Sequence, residues 1–228
     1  MAFRFIRLSK TLEYIGKLAF YHCDSLEALF LPSTVKSIGN YAFVWCGSLR
    51  LLILPHRIDL DNVKEIISYR TAICQIADNT GVTIEYDENN AIANDESNRR
   101  VNEWLIHHMD AAPFHKLCYD SSVTTKQISD YLHEHGNDSA LAIDPYHGMT
   151  PLHILSMNPH APADTIAALF NSNIQTVFCA DNQQKTPLEY ARDYNVGGLI
   201  QMINCLCNHR NSSLLLVESD NTNNENAT

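Results

Sequence analysis

A 23-residue echo between residues 12 and 55 limits what this chain can fold into. Eleven positions recur at this one spacing with the same or a similar residue. The first set is Leu12, Ile15, Gly16, Ala19, Phe20, Cys23, Ser25, Leu26, Leu29, Leu31 and Pro32, and the second is Val35, Ile38, Gly39, Ala42, Phe43, Cys46, Ser48, Leu49, Leu52, Leu54 and Pro55. A repeat of this length is typical of a solenoid, in which each turn of chain stacks on the previous one.

Each repeat contains a stretch that predicts a short strand with two different faces. Three leucines of each stretch are expected to point into the coil, because successive side chains of a strand point to opposite sides. These are Leu26, Leu29 and Leu31 in one repeat and Leu49, Leu52 and Leu54 in the next. The residues between them are expected to point outward as an apolar stripe, which we call the strand face. It comprises Phe5, Arg7, Ala28, Phe30, Leu51 and Ile53.

The strand face has two interpretations that the sequence leaves open. An ordered stripe of exposed apolar side chains suggests a surface that contacts another molecule. This interpretation makes Phe5, Arg7, Phe30, Leu51 and Ile53 candidate partner-binding residues. In the second interpretation, the later part of the chain folds back and covers the stripe.

Both copies follow the pattern Ile-Gly-x-x-Ala-Phe-x-x-Cys-x-Ser-Leu-x-x-Leu-x-Leu-Pro. This pattern resembles the BspA-type (Treponema-like) leucine-rich repeat family. The resemblance implies a right-handed solenoid that is used for protein recognition and has no chemistry of its own. Phe3, Ile6 and Leu8 precede the first leucine set at the same spacing and form half of an earlier copy. Since so few repeats seldom suffice, we expect a truncated version of a longer array, with docking of the N-terminal edge as the alternative.

The residues after the second copy are predicted to close the repeat region. Apolar spacing predicts a helix over residues 62–77 and a strand over 82–86. A polar linker and a helix capped by Ser97 or Asn98 follow. The predicted divisions are a leucine-rich repeat domain at 1–86, a linker at 87–98, a helical domain at 99–207 and a polar, acidic tail at 208–228.

A second, looser echo covers residues 111–207. Pro113, Pro151 and Pro187 open similar segments at steps of 38 and 36 positions. Downstream of each proline, three apolar residues have the i, i+3, i+4 spacing of one helix face. The triplets are Ile128, Tyr131 and Leu132; Ile166, Leu169 and Phe170; and Met202, Cys205 and Leu206. Each unit is therefore predicted to be a pair of helices.

The middle unit carries the segment Gly148-Met149-Thr150-Pro151-Leu152-His153. It resembles the ankyrin repeat, whose hallmark is a turn followed by Thr-Pro-Leu-His. The other units diverge, since Ala112 replaces the threonine of the first and Glu189 the histidine of the third. The resemblance implies about three divergent ankyrin-like repeats. Turn tips usually hold binding specificity, so the further candidate partner-binding residues are Tyr146, His147, Asn182 and Gln183.

The predicted fold class is an α+β repeat protein, with a short leucine-rich-repeat solenoid followed by an all-α ankyrin-like helix-pair array.

The composition of the chain limits the cellular compartment in which it is expected. No apolar run is long enough to cross a bilayer, and the alternating N-terminus does not form the apolar core of a signal peptide. A cytoplasmic location is therefore expected, with the nucleus also open. The seven cysteines are an odd, scattered set, which fits small hydrophobic thiols better than disulfides.

Charge argues against nucleic acid as a partner. Residues 1–56 carry six Lys/Arg and three Asp/Glu, whereas the remainder carries ten and twenty-three, within a net charge of −10. An acidic body repels phosphate backbones. Neither a nucleic acid nor a membrane is an expected partner.

Metal chemistry is the alternative functional class. Cys205, Cys207 and His209 lie close together in the sequence, so a small metal-binding or hydrolytic protein would use them. Zinc sites favour paired ligands at repeated spacings, and Cys205 occupies a predicted core position. The chain also lacks a nucleophile elbow, a phosphate loop and a dinucleotide fingerprint. We therefore predict no enzymatic activity, no catalytic residue, no metal and no cofactor, and expect a scaffold that binds another protein.

Overall fold

The computed structural model describes residues 4–60, 63–68, 70–86 and 93–225, with side chains described up to residue 210. Within these residues, four short strands occupy the N-terminal part and eight α-helices follow from Ala72 onward. None of the described helices is both long and apolar enough to span a bilayer.

The strands pair in parallel at the spacing of the sequence echo. The strands are β1 (Tyr14–Ile15), β2 (Ala28–Leu29), β3 (Ser37–Ile38) and β4 (Leu51–Leu52). β1 pairs with β3 and β2 with β4, and the paired residues lie 23 positions apart. Beyond the strands, the Phe20 backbone N–H donates to the Ala42 carbonyl at 2.9 Å. Each turn of chain therefore stacks on its neighbour in the predicted register.

The stacking continues one turn further than the visible echo. The Phe43 backbone N–H donates to the Ile66 carbonyl at 2.9 Å, which is one repeat length along the chain. Ile66 and Ile67 are each 1% exposed and belong to the core of the leucine-rich part. Ile66 and Ile67 therefore belong to a further stacked turn and not to a helix. For this reason the observed helix begins later than the one predicted over residues 62–77. This helix, α1, spans Ala72–Asn79, and residues 61–62 lie outside the described part.

The predicted alternation of the leucines is confirmed. The six inward leucines are at most 5% exposed and lie in the core of the leucine-rich part. Behind the strands, the buried ring of Phe43 stacks on that of Phe20 at 5.2 Å between centroids. Ala28, Phe30, Leu51 and Ile53 point the other way, into a second core that they share with the helical part.

Gly39 permits a close approach between two turns of chain. A Cβ atom at Gly39 would collide with the backbone of Gly16 and Lys17. At the echoed position, a Cβ atom on Gly16 would meet only the Tyr14 ring, at 3.9 Å. The two glycines of the echo therefore have different structural roles.

The joint after this region differs from the prediction. In place of the strand expected over 82–86, Tyr86 forms a single antiparallel bridge with Ala93. α2 spans Asp95–His107, so it begins inside the predicted 87–98 linker, of which residues 87–92 lie outside the described part. Its cap is Asn94, whose side chain accepts a hydrogen bond from the Ser97 backbone N–H at 2.7 Å.

α2 packs on the leucine-rich part, although its sequence was assigned to the helical domain. Val101 and Leu105 are buried in the core of the leucine-rich part. The Leu54 backbone N–H also donates to the Leu105 carbonyl at 3.0 Å. The apolar face of this amphipathic helix thus covers the last turns of the repeat region.

Six further helices form two stacked rows. They are α3 (Pro113–Tyr119), α4 (Thr125–His135), α5 (Pro151–Met157), α6 (Ala163–Ser172), α7 (Pro187–Tyr194) and α8 (Val196–Glu225). α3, α5 and α7 pack in one row and α4, α6 and α8 in the other. The first row begins at the three predicted prolines. All nine residues of the predicted apolar triplets lie in the second core or pack against it, which confirms the helix pairs. α8 runs on through the predicted 208–228 tail as far as Glu225.

Two buried histidines join successive units of this part. His115 Nε2 donates to the Met149 carbonyl at 2.9 Å, and His153 Nε2 donates to the Lys185 carbonyl at 3.1 Å. His153 Nδ1 accepts from the Thr150 backbone N–H at 2.9 Å, which fixes the neutral tautomer of this ring. Burial lowers the pKa of both histidines. Their role is therefore structural.

Candidate functional site: the strand face and the turns that meet it

The helical part of the chain covers the strand face. Phe30, Leu51 and Ile53 are 2%, 0% and 4% exposed. They share one core with residues of α3, α5 and α7, including Tyr119 and Tyr190. Of the two interpretations of the stripe, the structure shows the second. The interpretation of Phe30, Leu51 and Ile53 as exposed partner-binding residues is therefore corrected. Burying these side chains is favourable because it removes a large apolar area from water.

Tyr119, at the end of α3, contacts the strand face with both its ring and its hydroxyl. The ring stacks on Phe30 at 4.7 Å between centroids. The hydroxyl donates to the Leu29 carbonyl and accepts from the Ile53 backbone N–H, the latter at 3.0 Å. Burial raises the pKa of this phenol. One side chain thus satisfies backbone groups in two neighbouring turns.

A buried ion pair lies beside the strand face. Arg50 Nη2 donates to Asp181 Oδ2 at 3.1 Å, and the two side chains are 4% and 0% exposed. Arg50 also donates to the Tyr190 hydroxyl, which donates to Asp181 Oδ2 at 2.5 Å. Burial alone would raise the pKa of Asp181, but the hydrogen bond from Tyr190, backbone amides and the Arg50 charge outweigh it and lower the pKa.

A second charged contact lies at the neighbouring turn. Lys185 Nζ donates to both carboxylate oxygens of Glu27, at 3.0 and 3.2 Å. The Tyr194 hydroxyl donates to Glu27 Oε2 at 3.1 Å. Glu27 and Arg50 occupy equivalent positions of successive repeats. The turn before α7 therefore binds one charged side chain from each of two leucine-rich turns.

The turn before α5 is held by Asp144 and His147. His147 Nδ1 lies 2.8 Å from Asp144 Oδ1, and His147 Nε2 lies 2.8 Å from the Arg50 carbonyl. Each ring nitrogen of His147 therefore faces an oxygen atom, one from the same turn and one from the leucine-rich part. Burial alone would raise the pKa of Asp144, but hydrogen bonds from His147 and from backbone amides outweigh it and lower the pKa to about 2.

The four candidate turn-tip residues fall into different environments. His147 is 2% exposed and contacts Arg50 as described, so it belongs to the internal contact. Tyr146 is half-buried with its ring 5.8 Å from that of Trp104. Asn182 and Gln183 are exposed. Of this set, Asn182 and Gln183 are the two with exposed side chains.

The N-terminal members of the strand face are only partly covered. Phe5 is 41% exposed, and its ring edge contacts Tyr194 at 5.9 Å between centroids. Arg7 is exposed, and its Nε donates to His160 Nδ1 at 3.5 Å. These two residues lie at the rim of the internal contact.

The candidate metal ligands lie along α8. Cys205 and His209 line one shallow pocket with Asn171 and Asn208, whereas Cys207 is exposed. Within the described residues, no three His, Cys, Asp or Glu side chains are grouped so that they could hold a metal ion. The arrangement thus gives no support to the metal-binding or hydrolytic alternative. All seven cysteines are free thiols.

Comparison with known proteins finds a match for the first part of the chain. Residues 2–88 match the model of the BspA type leucine rich repeat region (6 copies). This match supports the resemblance that the residue pattern of the N-terminal part predicted. The match covers less than half of the chain and ends before α2. No curated protein and no solved structure matches the chain.

The residues that join the two parts were missed by sequence reasoning. Tyr119, Asp181, Glu27 and Lys185 were not singled out. Asp181 carried a usable signal, because Asp144 and Asp181 occupy similar places before the two Thr-Pro helix starts. Each aspartate accepts hydrogen bonds from backbone amides of its own turn. Their contacts across the chain carried no such signal.

Proposed function

We propose that this chain is a non-enzymatic scaffold that binds another protein through its repeat surfaces. The leucine-rich part is a short solenoid, and the helical part is a set of about three divergent ankyrin-like repeats. Parallel pairing at a 23-residue register supports the first assignment. The Thr-Pro helix starts and the histidine bonds between units support the second.

The family of the first part supports a binding role. Leucine-rich repeat regions generally mediate contacts between proteins. The contact inside this chain has the same chemistry as such an interface, with an apolar centre, a stacked tyrosine and charged groups beside them. The strand face is already occupied by that contact. A partner therefore needs a different surface.

We assign the partner surface to an exposed segment of the first leucine-rich turn, which consists of Leu18, Phe20, Tyr21 and Cys23. Tyr21 is 45% exposed, whereas its echo Val44 is 6% exposed. Phe20 and Cys23 are half-buried, whereas their echoes are 0% exposed. This difference is the observation that carries the assignment.

This exposed segment suits a partner with an apolar surface. Its exposed side chains are contiguous in one turn, unlike the single surface hydrophobes that proteins normally carry. Leu18 is 42% exposed and has a positive φ of 59°. The local backbone thus presents this side chain despite some conformational cost.

The test is a binding assay with the full chain. We expect a purified partner to form a stoichiometric complex and to protect the amides of residues 18–23 from hydrogen exchange. The Leu18→Asp, Tyr21→Asp double variant should lose at least tenfold in affinity. The matched control is the Ile143→Asp, Phe178→Asp double variant, which changes two side chains that are 65% and 64% exposed elsewhere. Equal affinity of both variants would contradict the assignment, and turnover of a substrate by the chain would contradict a non-enzymatic scaffold.

A further inference from the structure

A pocket of about 420 Å³ lies where the start of the leucine-rich part meets the helical part. Its walls are Arg7, Leu8, Ser9 and Lys10 on one side and His160 on the other. His160 lies in the loop between α5 and α6, and 153 positions separate it from Arg7. Small-ligand pockets have volumes of roughly 300–1,000 Å³ and are common where two parts of a protein meet.

Two positive side chains of this pocket have no negative partner among the described residues. Neither the Arg7 guanidinium nor the Lys10 ammonium forms an ion pair within that part of the chain, and both side chains are exposed. By contrast, Lys36 of the same leucine-rich part lies 2.9 Å from Glu13. In a chain of net charge −10, two uncompensated cations at one pocket favour an anionic ligand.

His160 directs the Arg7 guanidinium. Arg7 Nε donates to His160 Nδ1 at 3.5 Å, which leaves Nη1 and Nη2 without a partner in the part of the chain that the structure describes. These two groups form a fork that can bind two oxygens of one anion. The loop of His160 is itself held, because its backbone N–H donates to the Asn158 side chain at 2.9 Å. Asn158 Nδ2 in turn donates to the Cys118 and Asp120 carbonyls.

The His160 ring is buried with one nitrogen unsatisfied. His160 is 6% exposed, and its Nε2 has no hydrogen-bond partner within the residues that the structure describes. Such atoms are rare in folded proteins, and a bound ion is one recognised reason for them. Burial lowers the pKa of His160, and the charges of Arg7 and Lys10 lower it further. A bound anion would offset these two charges, so this pKa should rise on binding.

We propose that this pocket binds a phosphate monoester through Arg7 and Lys10. Such a group carries about −1.5 to −2 charges near neutral pH, which matches two cations better than the single charge of a carboxylate does. The organic part of the ester would lie beside Leu8 in the remaining space of the pocket. His160 is a positioning residue for Arg7. The site shares no residue with the proposed partner surface and does not depend on it.

Titration of the full chain with phenyl phosphate, followed by nuclear magnetic resonance, tests the site. We expect saturable binding with a dissociation constant on the order of 1 mM. The Arg7→Gln, Lys10→Gln variant should bind at least tenfold more weakly with an unchanged circular dichroism spectrum, because both side chains are exposed. The matched control is Lys17→Gln, Arg57→Gln, which removes the same two charges from exposed positions outside the pocket. This control should bind as the wild type does.

Two outcomes of this titration would overturn the proposal. One is the lack of saturable binding by the wild type at millimolar concentrations. The other is the same affinity in the pocket variant and in the control variant, since a site built on Arg7 and Lys10 cannot lose as little as one that senses only net charge.

Inorganic phosphate distinguishes the two sources of this chemistry. Phenyl phosphate should bind more tightly than inorganic phosphate, because its ring removes apolar surface of Leu8 from water. Equal affinities of the two probes would support the anion site, identify free phosphate as its ligand and overturn the assignment to an ester.

The His160 ring reports on where the anion binds. Saturating phenyl phosphate should raise the pKa of His160 in the wild type and leave it unchanged in the Arg7→Gln, Lys10→Gln variant. The ring resonances of His133, which is exposed on α4, are the internal control and should not respond to the ligand. A His160 titration that stays the same in the saturated wild type would overturn the placement of the anion in this pocket.

Discussion

The Arg50 guanidinium donates to the Asp181 carboxylate at 3.1 Å and thereby joins residues that are 131 positions apart. Arg50 immediately precedes β4 in the leucine-rich part, and Asp181 lies in the turn before α7. Both side chains are almost completely excluded from solvent. The pair belongs to a contact in which the strand face and the turns of the helical part bind each other within one chain.

Removing the cation of this pair should destabilise the protein strongly. Arg50→Met leaves a buried carboxylate without its cation, and such losses cost about 3–5 kcal/mol. Asp181 keeps its hydrogen bonds from Tyr190 and backbone amides, so we expect about 3 kcal/mol. Adding Asp181→Asn should restore more than half of the loss, and urea unfolding of all variants measures both effects. The exposed pair of Lys36 and Glu13 is the control, since Lys36→Met should cost less than about 1 kcal/mol. If Arg50→Met and Lys36→Met lowered the free energy of unfolding by the same amount, the burial of the Arg50–Asp181 pair would be contradicted.

The two echoed glycines should respond differently to alanine. Gly39→Ala places a methyl group against the backbone of Gly16 and Lys17, and backbone cannot move aside as a side-chain end can. Strain of this kind costs about 1–3 kcal/mol. Gly16→Ala meets no atom closer than 3.9 Å and should change the free energy of unfolding by less than about 1 kcal/mol. Thermal or urea unfolding compares the two variants, and a larger loss for Gly16→Ala would refute the stacking of these turns.

Asp144 should make the protein sensitive to acid. Its pKa is held at about 2 in the folded chain, below the value of 3.8 for a free side chain. A lowered pKa contributes stability above the unfolded value, and this contribution is lost as pH falls from about 4 to about 2. The shift corresponds to about 2 kcal/mol. Asp144→Asn removes this part of the dependence, so its stability should fall less steeply than that of the wild type over this interval. Identical slopes in urea unfolding would argue against the Asp144–His147 pair.

The Tyr119 hydroxyl should stabilise the contact between the two parts. Tyr119→Phe keeps the stacking on Phe30 but leaves the Leu29 carbonyl and the Ile53 N–H without this partner. Buried groups that lose a hydrogen bond cost about 1–3 kcal/mol. Tyr14→Phe is the control, because Tyr14 is 60% exposed and should change the free energy of unfolding very little. A Tyr119→Phe variant as stable as the control would show that this hydroxyl is not bound as described.

Several features of the fold could be predicted because they repeat. The 23-residue register, the inward leucines and the three proline-led helix pairs each occur at two or more places in the sequence, so one copy supports the interpretation of the next. The joint has no second copy. Ile66 and Ile67 were therefore assigned to a helix by their spacing, although they belong to a further leucine-rich turn.

The fate of the strand face could not be decided from sequence. Phe30 and Ile53 point outward from their own coil as predicted, and an outward apolar residue looks the same whether a partner or the same chain covers it. What decides this is the placement of Tyr119 and Asp181, which lie more than sixty residues away. Contacts at such a distance leave no local pattern. The location of the chain in the cell stays a prediction.

The central claim is that the two repeat parts form one unit through the strand face. Equilibrium unfolding in urea tests it most directly, with Trp45 fluorescence reporting on the leucine-rich part in a Trp104→Phe background and circular dichroism reporting on the helices. Cooperative unfolding makes different probes coincide. The account predicts a single coincident transition, which Arg50→Met and Tyr119→Phe shift for both probes together. Two separate transitions, with only one of them moved by these substitutions, would contradict it.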